Sequence, residues 1–118
     1  MITLFGLTQC STCVKARRWL DDNSLPHQFI DYRAQPIAPT LLKQWAEQLG
    51  GWEKLVNRAS MTWRNLDDAK KTPSSDADWL ALIAEFPALI RRPVALTEDG
   101  IVGVAFNEKR YAERFLAA

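Results

Sequence analysis

The sequence predicts a mixed α/β fold in which a β-α-β unit and a β-β-α unit flank a block of helices. Short apolar runs rich in β-branched residues predict the strands, and amphipathic stretches predict the helices between them. Both kinds of pattern are present, with strands confined to the two ends of the chain and helices in its middle. The 118 residues have the length of one domain, so we expect a single domain over residues 1–118 with a helical insertion at about 38–86.

The first predicted unit is β-α-β. Ile2–Leu7 has the composition of a short strand, and a helix is predicted over Ser11–Asp22. Asn23 and Ser24 close this helix, and Pro26 prevents it from continuing. The next segment, His27–Tyr32, predicts a second strand. Because a helix connects the two strands, we expect them to be parallel.

The predicted helical block begins at Pro39, a residue that favours the first turn of a helix. The pair Gly50–Gly51 ends that helix, since glycine accepts the left-handed conformation of a helix C-terminus. A short helical turn is predicted over residues 52–56, and residues 57–66 have a less regular pattern.

Residues 67–74 are polar and contain a proline, which predicts a turn or a frayed helix end. Ser75 is placed to cap the next helix, and Asp78 lies favourably in its first turn. The apolar residues of that helix recur at helical spacing and predict one buried face. Pro87 ends the helix.

The last predicted unit is β-β-α. Val94–Thr97 and Ile101–Ala105 flank a turn that contains Gly100, which predicts a β-hairpin. Asn107 can cap a terminal helix. The complete order, β-α-β followed by helices and β-β-α, predicts a thioredoxin-like fold with a helical insertion.

The two cysteines of the chain, Cys10 and Cys13, form a C-S-T-C motif between the first strand and the first helix. This position and spacing indicate a redox function. The unbonded N–H groups and the positive dipole end of the helix stabilise a thiolate, which is the reactive form of cysteine. Cys10 is the predicted nucleophile, and Cys13 either resolves its covalent intermediate or is incidental. Two cysteines and the lone His27 are too few ligands for a structural metal site, so we expect no metal.

Composition excludes several other classes of function. Fifteen basic and 14 acidic residues give a net charge of +1, which gives no sign of direct nucleic-acid binding. No apolar run approaches the length of a membrane span, and the N-terminus lacks the pattern of a signal peptide. We therefore expect a cytoplasmic protein without membrane contact, a compartment where two close cysteines are more often redox-active than structural.

Nearly the whole chain resembles the family of glutaredoxin-coupled arsenate reductases (ArsC), and more closely its small Spx/YffB branch. The resemblance depends on the order and spacing of several short motifs, which begin with Phe5-Gly6-Leu7-Thr8-Gln9-Cys10. The other motifs lie at residues 15–20 (KARRWL), 31–33 (DYR), 52–57 (WEKLVN), 62–66 (TWRNL) and 87–94 (PALIRRPV).

The resemblance implies functions for individual residues. Cys10 matches the nucleophilic cysteine of the family, and Arg92 matches the arginine that precedes the proline before the third strand. Pro93 is then the cis-proline of the thioredoxin superfamily and part of the substrate site. Lys15 in the first helix can attract an anionic tripeptide such as glutathione, unless it belongs to a solvated helix face. Arg58 either binds a substrate anion or is a surface residue.

Two departures from the family pattern argue against arsenate as the substrate. Asn57 occupies the position at which true arsenate reductases of the family have an arginine, with Arg58 the nearest candidate. A second arginine, expected in the final hairpin, is missing from residues 101–106. An oxyanion needs several fixed cationic or N–H donors, and arginine supplies them best. Thiol–disulfide exchange needs no such cluster.

Three functions follow from these considerations. The first is a thiol-dependent oxidoreductase that uses Cys10 as nucleophile, with no bound cofactor and with glutathione as co-substrate or a glutaredoxin-type thiol donor. The second is an Spx-like regulator that binds RNA polymerase and uses the two cysteines as a redox switch. The third is an arsenate reductase.

Overall fold

The computed structural model describes residues 1–116. Its helices and strands follow the predicted order: β1 (Ile2–Gly6), α1 (Ser11–Asp22), β2 (His27–Asp31), α2 (Pro39–Leu49), α3 (Trp52–Leu55), α4 (Met61–Arg64), α5 (Asp76–Glu85), β3 (Val94–Leu96), β4 (Val102–Val104) and α6 (Glu108–Phe115). Two short 3-10 helices, Asp68–Lys71 and Pro87–Leu89, flank α5. The fold is mixed α/β and thioredoxin-like, as predicted.

The contacts between residues divide the chain into two compact units. One unit consists of Met1–Asp31 together with the chain from Arg92 onward, and the other is Tyr32–Arg91. The first unit contains the whole sheet, and the second contains the helical block. The expectation of one domain over residues 1–118 stays a prediction.

The first unit is built on a four-stranded sheet with the order β2-β1-β3-β4. The two strands β1 and β2 are parallel, as the helical connection between them requires. Both β3 and β4 are antiparallel to their neighbours and form the predicted hairpin. The core of this unit lies between the sheet and the helices α1 and α6, and comprises Ile2, Leu4, Ala16, Leu20, Ala95 and Tyr111.

Helix α1 has the predicted bounds because its signals are local. Its N-cap is Cys10, in the extended conformation, and its C-cap is Asn23, whose side chain donates a hydrogen bond to the carbonyl of Trp19. Ala16 and Leu20 face the core and are fully buried. The cap of α6 also forms as predicted, because the side chain of Asn107 accepts a hydrogen bond from the N–H of Arg110 at 3.0 Å.

The hairpin is shorter than predicted at three of its strand ends. Thr97 leaves β3 because its N–H donates to the carbonyl of Ile101 and its carbonyl accepts from Gly100, which are turn hydrogen bonds. Ala105 leaves β4 because it adopts a positive φ of 66°, which an extended strand does not contain. The ladder therefore joins only Val94–Leu96 to Val102–Val104.

The second unit packs around aromatic residues. Trp79 of α5 stacks on Trp52 of α3 at a ring-centroid distance of 6.2 Å and on Trp63 of α4 at 6.0 Å. Its helix α5 has the predicted cap, since the side chain of Ser75 accepts a hydrogen bond from the N–H of Asp78. The prediction missed α4 within the irregular stretch, although Ser60 caps it in the same way through the N–H of Trp63.

Candidate active site

Cys10 lies at the junction between β1 and α1, where the chain turns from the sheet into the helix. Its N–H donates to the carbonyl of Leu7 at 3.1 Å, and its own carbonyl accepts the first helical hydrogen bond from Val14 at 3.0 Å. These two bonds hold the backbone of Cys10 from both sides. Cys10 is partly exposed, so its thiol can meet a substrate from solution.

The pKa of the Cys10 thiol is lowered from its ordinary value of 9.0. Partial burial raises this pKa, but four hydrogen-bond donors outweigh burial and stabilise the thiolate. They are the backbone N–H of Cys13, the thiol of Cys13, the guanidinium of Arg92 and the backbone N–H of Thr12. Two of the four donors are N–H groups of the first turn of α1, so the helix start stabilises the thiolate as predicted.

Cys13 lies one turn into α1 and is 1% exposed. The pKa of Cys13 is raised to about 12; burial is the largest cause, and the adjacent Cys10 contributes to the rise. Gly6 of β1 makes room for this side chain, because a Cβ atom at residue 6 would lie 2.6 Å from the sulfur of Cys13. Cys13 is therefore a protonated, enclosed thiol that donates to Cys10.

Arg92 and Pro93 precede β3, the strand that pairs with β1. The peptide bond between them is cis, as the resemblance implies. Pro93 is fully buried, whereas Arg92 is half-buried and donates to the sulfur of Cys10. The pairing of β3 with β1 thus brings a residue from the second half of the chain to the cysteine at the end of β1.

The remaining predicted site residues are Lys15, Arg58 and Pro93. Lys15 is exposed on α1. Arg58 is exposed in the second unit, on the turn before α4. The structure thus brings Cys10, Cys13 and Arg92 together, and the assignment of Lys15, Arg58 and Pro93 to substrate binding stays a prediction.

Sequence reasoning missed Thr8 and the close approach at Gly6. Thr8 belongs to the loop before Cys10 and bonds to Asp31 at the end of β2. No local signal could have indicated this pair, because the two residues are 23 positions apart and meet only through the register of β1 and β2. Gly6 could have been found from its place directly before the motif loop, where backbone and helix approach closely.

A thioredoxin-like fold with a stabilised thiolate at the start of its first helix defines a class of thiol-dependent redox proteins. Residues 5–114 match the model of the ArsC family, and the chain belongs to that family. Among similar proteins, an uncharacterized protein of Haemophilus influenzae is 43% identical over 98% of this chain and 99% of its own length. The global transcriptional regulator Spx of Enterococcus faecalis is 31% identical over 98% of this chain and 86% of its own length.

Two solved structures extend the comparison. The YFFB protein has a TM-score of 0.85 and 36% identity, and the match covers 95% of this chain and 96% of that protein. An arsenate reductase related protein of Brucella melitensis has a TM-score of 0.74 and 28% identity, with 99% and 95% covered. The chain therefore belongs to the Spx/YffB-like branch, and its relatives support a thiol-dependent redox role.

Proposed function

We propose that this protein is a glutathione-linked oxidoreductase that uses Cys10 in thiol–disulfide exchange. The observation that carries the proposal is the set of four donors around the sulfur of Cys10, which lower its pKa and favour the nucleophilic thiolate. A cytoplasmic location belongs to the proposal, because the reaction needs a supply of reduced thiols.

The reaction begins when the Cys10 thiolate attacks one sulfur of a substrate disulfide. A mixed disulfide forms between Cys10 and that sulfur, and the other substrate sulfur leaves as a thiolate that takes up a proton. A second thiolate then attacks the bound substrate sulfur, which forms a disulfide between these two sulfurs and releases the Cys10 thiolate. When the bound group is glutathione and the second thiol is also glutathione, the products are the free substrate thiol and glutathione disulfide. In this proposal Arg92, which donates to the Cys10 sulfur, also holds an anionic group of the substrate or of glutathione.

The surroundings of Cys13 favour an external thiol for the second step. Burial is the largest cause of the raised pKa of Cys13. A thiol that stays protonated attacks slowly. Glutathione, which is small and present as a reductant, resolves the intermediate in this proposal, while Cys13 acts first as a hydrogen-bond donor to Cys10.

Intact mass after exposure to oxidised glutathione tests both steps. The wild type and Cys13→Ser are expected to gain one glutathione, and Cys10→Ser is expected to gain none. A loss of two hydrogens in the wild type, absent from both variants, would instead identify Cys13 as the resolving thiol. An unmodified wild type, or an adduct that persists in Cys10→Ser, would overturn the assignment of Cys10 as nucleophile.

A second candidate function is a redox-controlled regulator that binds RNA polymerase. The similarity to Spx over nearly the full chain favours it, because Spx is a global transcriptional regulator. Binding of purified RNA polymerase to the reduced and the oxidised protein distinguishes the two functions. The regulator requires a complex whose affinity differs between the two states, whereas the oxidoreductase requires turnover of a glutathione mixed disulfide.

The third function, arsenate reduction, is tested by measuring arsenate turnover with glutaredoxin. The missing arginines argue against this function.

A further inference from the structure

The loop between β1 and α1 is bonded to the neighbouring strand through the side chain of Asp31. Oδ2 of Asp31 accepts a hydrogen bond from the hydroxyl of Thr8 at 2.7 Å and another from the N–H of Thr8 at 3.1 Å. Asp31 is the last residue of β2 and pairs in register with Gly6, the last residue of β1. The sheet therefore places this carboxylate directly beside the start of the loop.

Thr8 is the middle residue of the loop 7–9, which connects β1 to Cys10. The carbonyl of Leu7 accepts from the N–H of Cys10, and Cys10 then opens α1 with φ −77° and ψ 122°. Those dihedral angles are extended, so the helical N–H groups of the first turn come after Cys10 and can point back to its sulfur. The bonds from Thr8 to Asp31 fix the middle of the three-residue loop that leads into this geometry.

Charge alone would make Asp31 unfavourable for a thiolate at Cys10. A carboxylate near a thiol disfavours the second negative charge and raises the pKa of the thiol. The donors that act on Cys10, by contrast, depend on distance and angle and lose their effect when the sulfur moves out of line. The geometric and the electrostatic effects of Asp31 thus have opposite signs, and an experiment can separate them.

We propose that Asp31 is a positioning residue for Cys10, which through Thr8 holds the β1–α1 loop so that the first-turn N–H groups of α1 point at the Cys10 sulfur. The inference rests on the proposed function only in taking Cys10 as the reactive thiol. It assigns to the end of β2 a part in the reactivity of a cysteine on another element.

The test is the rate at which iodoacetamide alkylates Cys10 as a function of pH, located on Cys10 by mass spectrometry. Asp31→Ala is expected to raise the pKa of Cys10 and to slow alkylation at pH 7 by about 3- to 10-fold, since one pKa unit changes the thiolate fraction tenfold. The limiting rate at high pH is expected to stay the same. Asp31→Asn, whose amide oxygen can accept from the N–H of Thr8, should restore most of the wild-type rate.

Thr8→Val gives a second route to the same answer if Asp31→Ala folds poorly. It removes the 2.7 Å hydroxyl bond, leaves the carboxylate in place and should shift the pKa of Cys10 upward by less than Asp31→Ala does. A fall in the pKa of Cys10 in Asp31→Ala would show that the carboxylate acts through its charge, and an unchanged pKa would show no link; both overturn the inference. An ordinary pKa for Cys10 in the wild type would overturn the proposed function and the inference with it.

Discussion

At the scale of single residues, the site depends on the different surroundings of two identical side chains. Cys10 is partly exposed and receives several donors, which lower its pKa, whereas Cys13 is enclosed, and burial raises its pKa. The two shifts have a common origin in the turn that separates the cysteines, because it puts one sulfur at the helix start and the other against Gly6. One helix start thus provides a nucleophile and a protonated donor for it.

Among residues 1–116, Arg92 is the one charged side chain that donates to the Cys10 sulfur, and we predict that Arg92→Gln lowers the reactivity of Cys10. The loss of a cation favours the neutral thiol, so the pKa of Cys10 should rise and its alkylation at pH 7 should slow by about 3- to 10-fold. The measurement is the pH profile of alkylation by iodoacetamide.

Arg91→Gln is the matched control for this prediction, because it removes the same charge one position earlier in the chain. It should leave the profile of Cys10 within error of the wild type. Equal shifts in both variants would mean that Arg92 acts through the net charge of the protein and not through its bond to Cys10.

At the scale of elements, short-range signals were sufficient for most of the fold. The bounds of α1 and the starts of α2 and α5 follow from caps, prolines and glycines that are adjacent in sequence. The sequence pattern also indicated the parallel pairing of β1 with β2. It could not indicate the ends of the hairpin, since those depend on the hydrogen bonds of Thr97 and on the positive φ of Ala105.

The site was predictable to the same extent and for the same reason. The spacing of Cys10 and Cys13 predicts both cysteines, and the resemblance to the ArsC family predicts Arg92 and Pro93. The bond between Thr8 and Asp31 was not predictable, because it exists only once the register of β1 and β2 is known. Contacts that depend on strand register are beyond any pattern that is local in sequence.

Helix α6 offers a test of how much one cap contributes to this fold. The side chain of Asn107 accepts from the N–H of Arg110 at 3.0 Å, and the helix carries Tyr111 into the core. Asn107→Ala is expected to lower the free energy of unfolding by about 1 kcal/mol. Urea denaturation followed by circular dichroism measures the change.

Asn107→Asp keeps an acceptor in the same position and places a negative charge at the start of the helix, so it should retain wild-type stability or exceed it. If Asn107→Asp were as unstable as Asn107→Ala, the contribution of Asn107 would come from something other than its cap.

At the scale of the whole molecule, the buried thiol of Cys13 and phenol of Tyr111 make the stability of the protein fall with rising pH in the alkaline range. Burial is the largest cause that raises the pKa of Cys13 from 9.0 to about 12, and burial also raises the pKa of Tyr111 above its ordinary value of 10.0. The folded chain therefore keeps protons that the unfolded chain loses. Stability from these groups is complete below the unfolded pKa values and is lost as pH rises toward the folded ones.

We predict that the free energy of unfolding falls as pH rises above about 9, by up to about 1.4 kcal/mol per pH unit for each of the two groups. Cys10 opposes this fall near pH 9, since its lowered pKa means that the unfolded chain binds more protons there than the folded chain, and it adds no slope once both are ionised. Urea denaturation at a series of pH values, with a reductant present, measures the slope.

Cys13→Ala should remove the part of the slope that begins near pH 9, and Tyr111→Phe should remove the part that begins near pH 10. Tyr111→Phe retains the ring that packs edge-on against Trp19, and it removes a buried hydroxyl that has no hydrogen-bond partner among residues 1–116. It should therefore be at least as stable as the wild type at pH 7. Slopes that stay unchanged in both variants would mean that other groups, and not this buried pair, control alkaline unfolding.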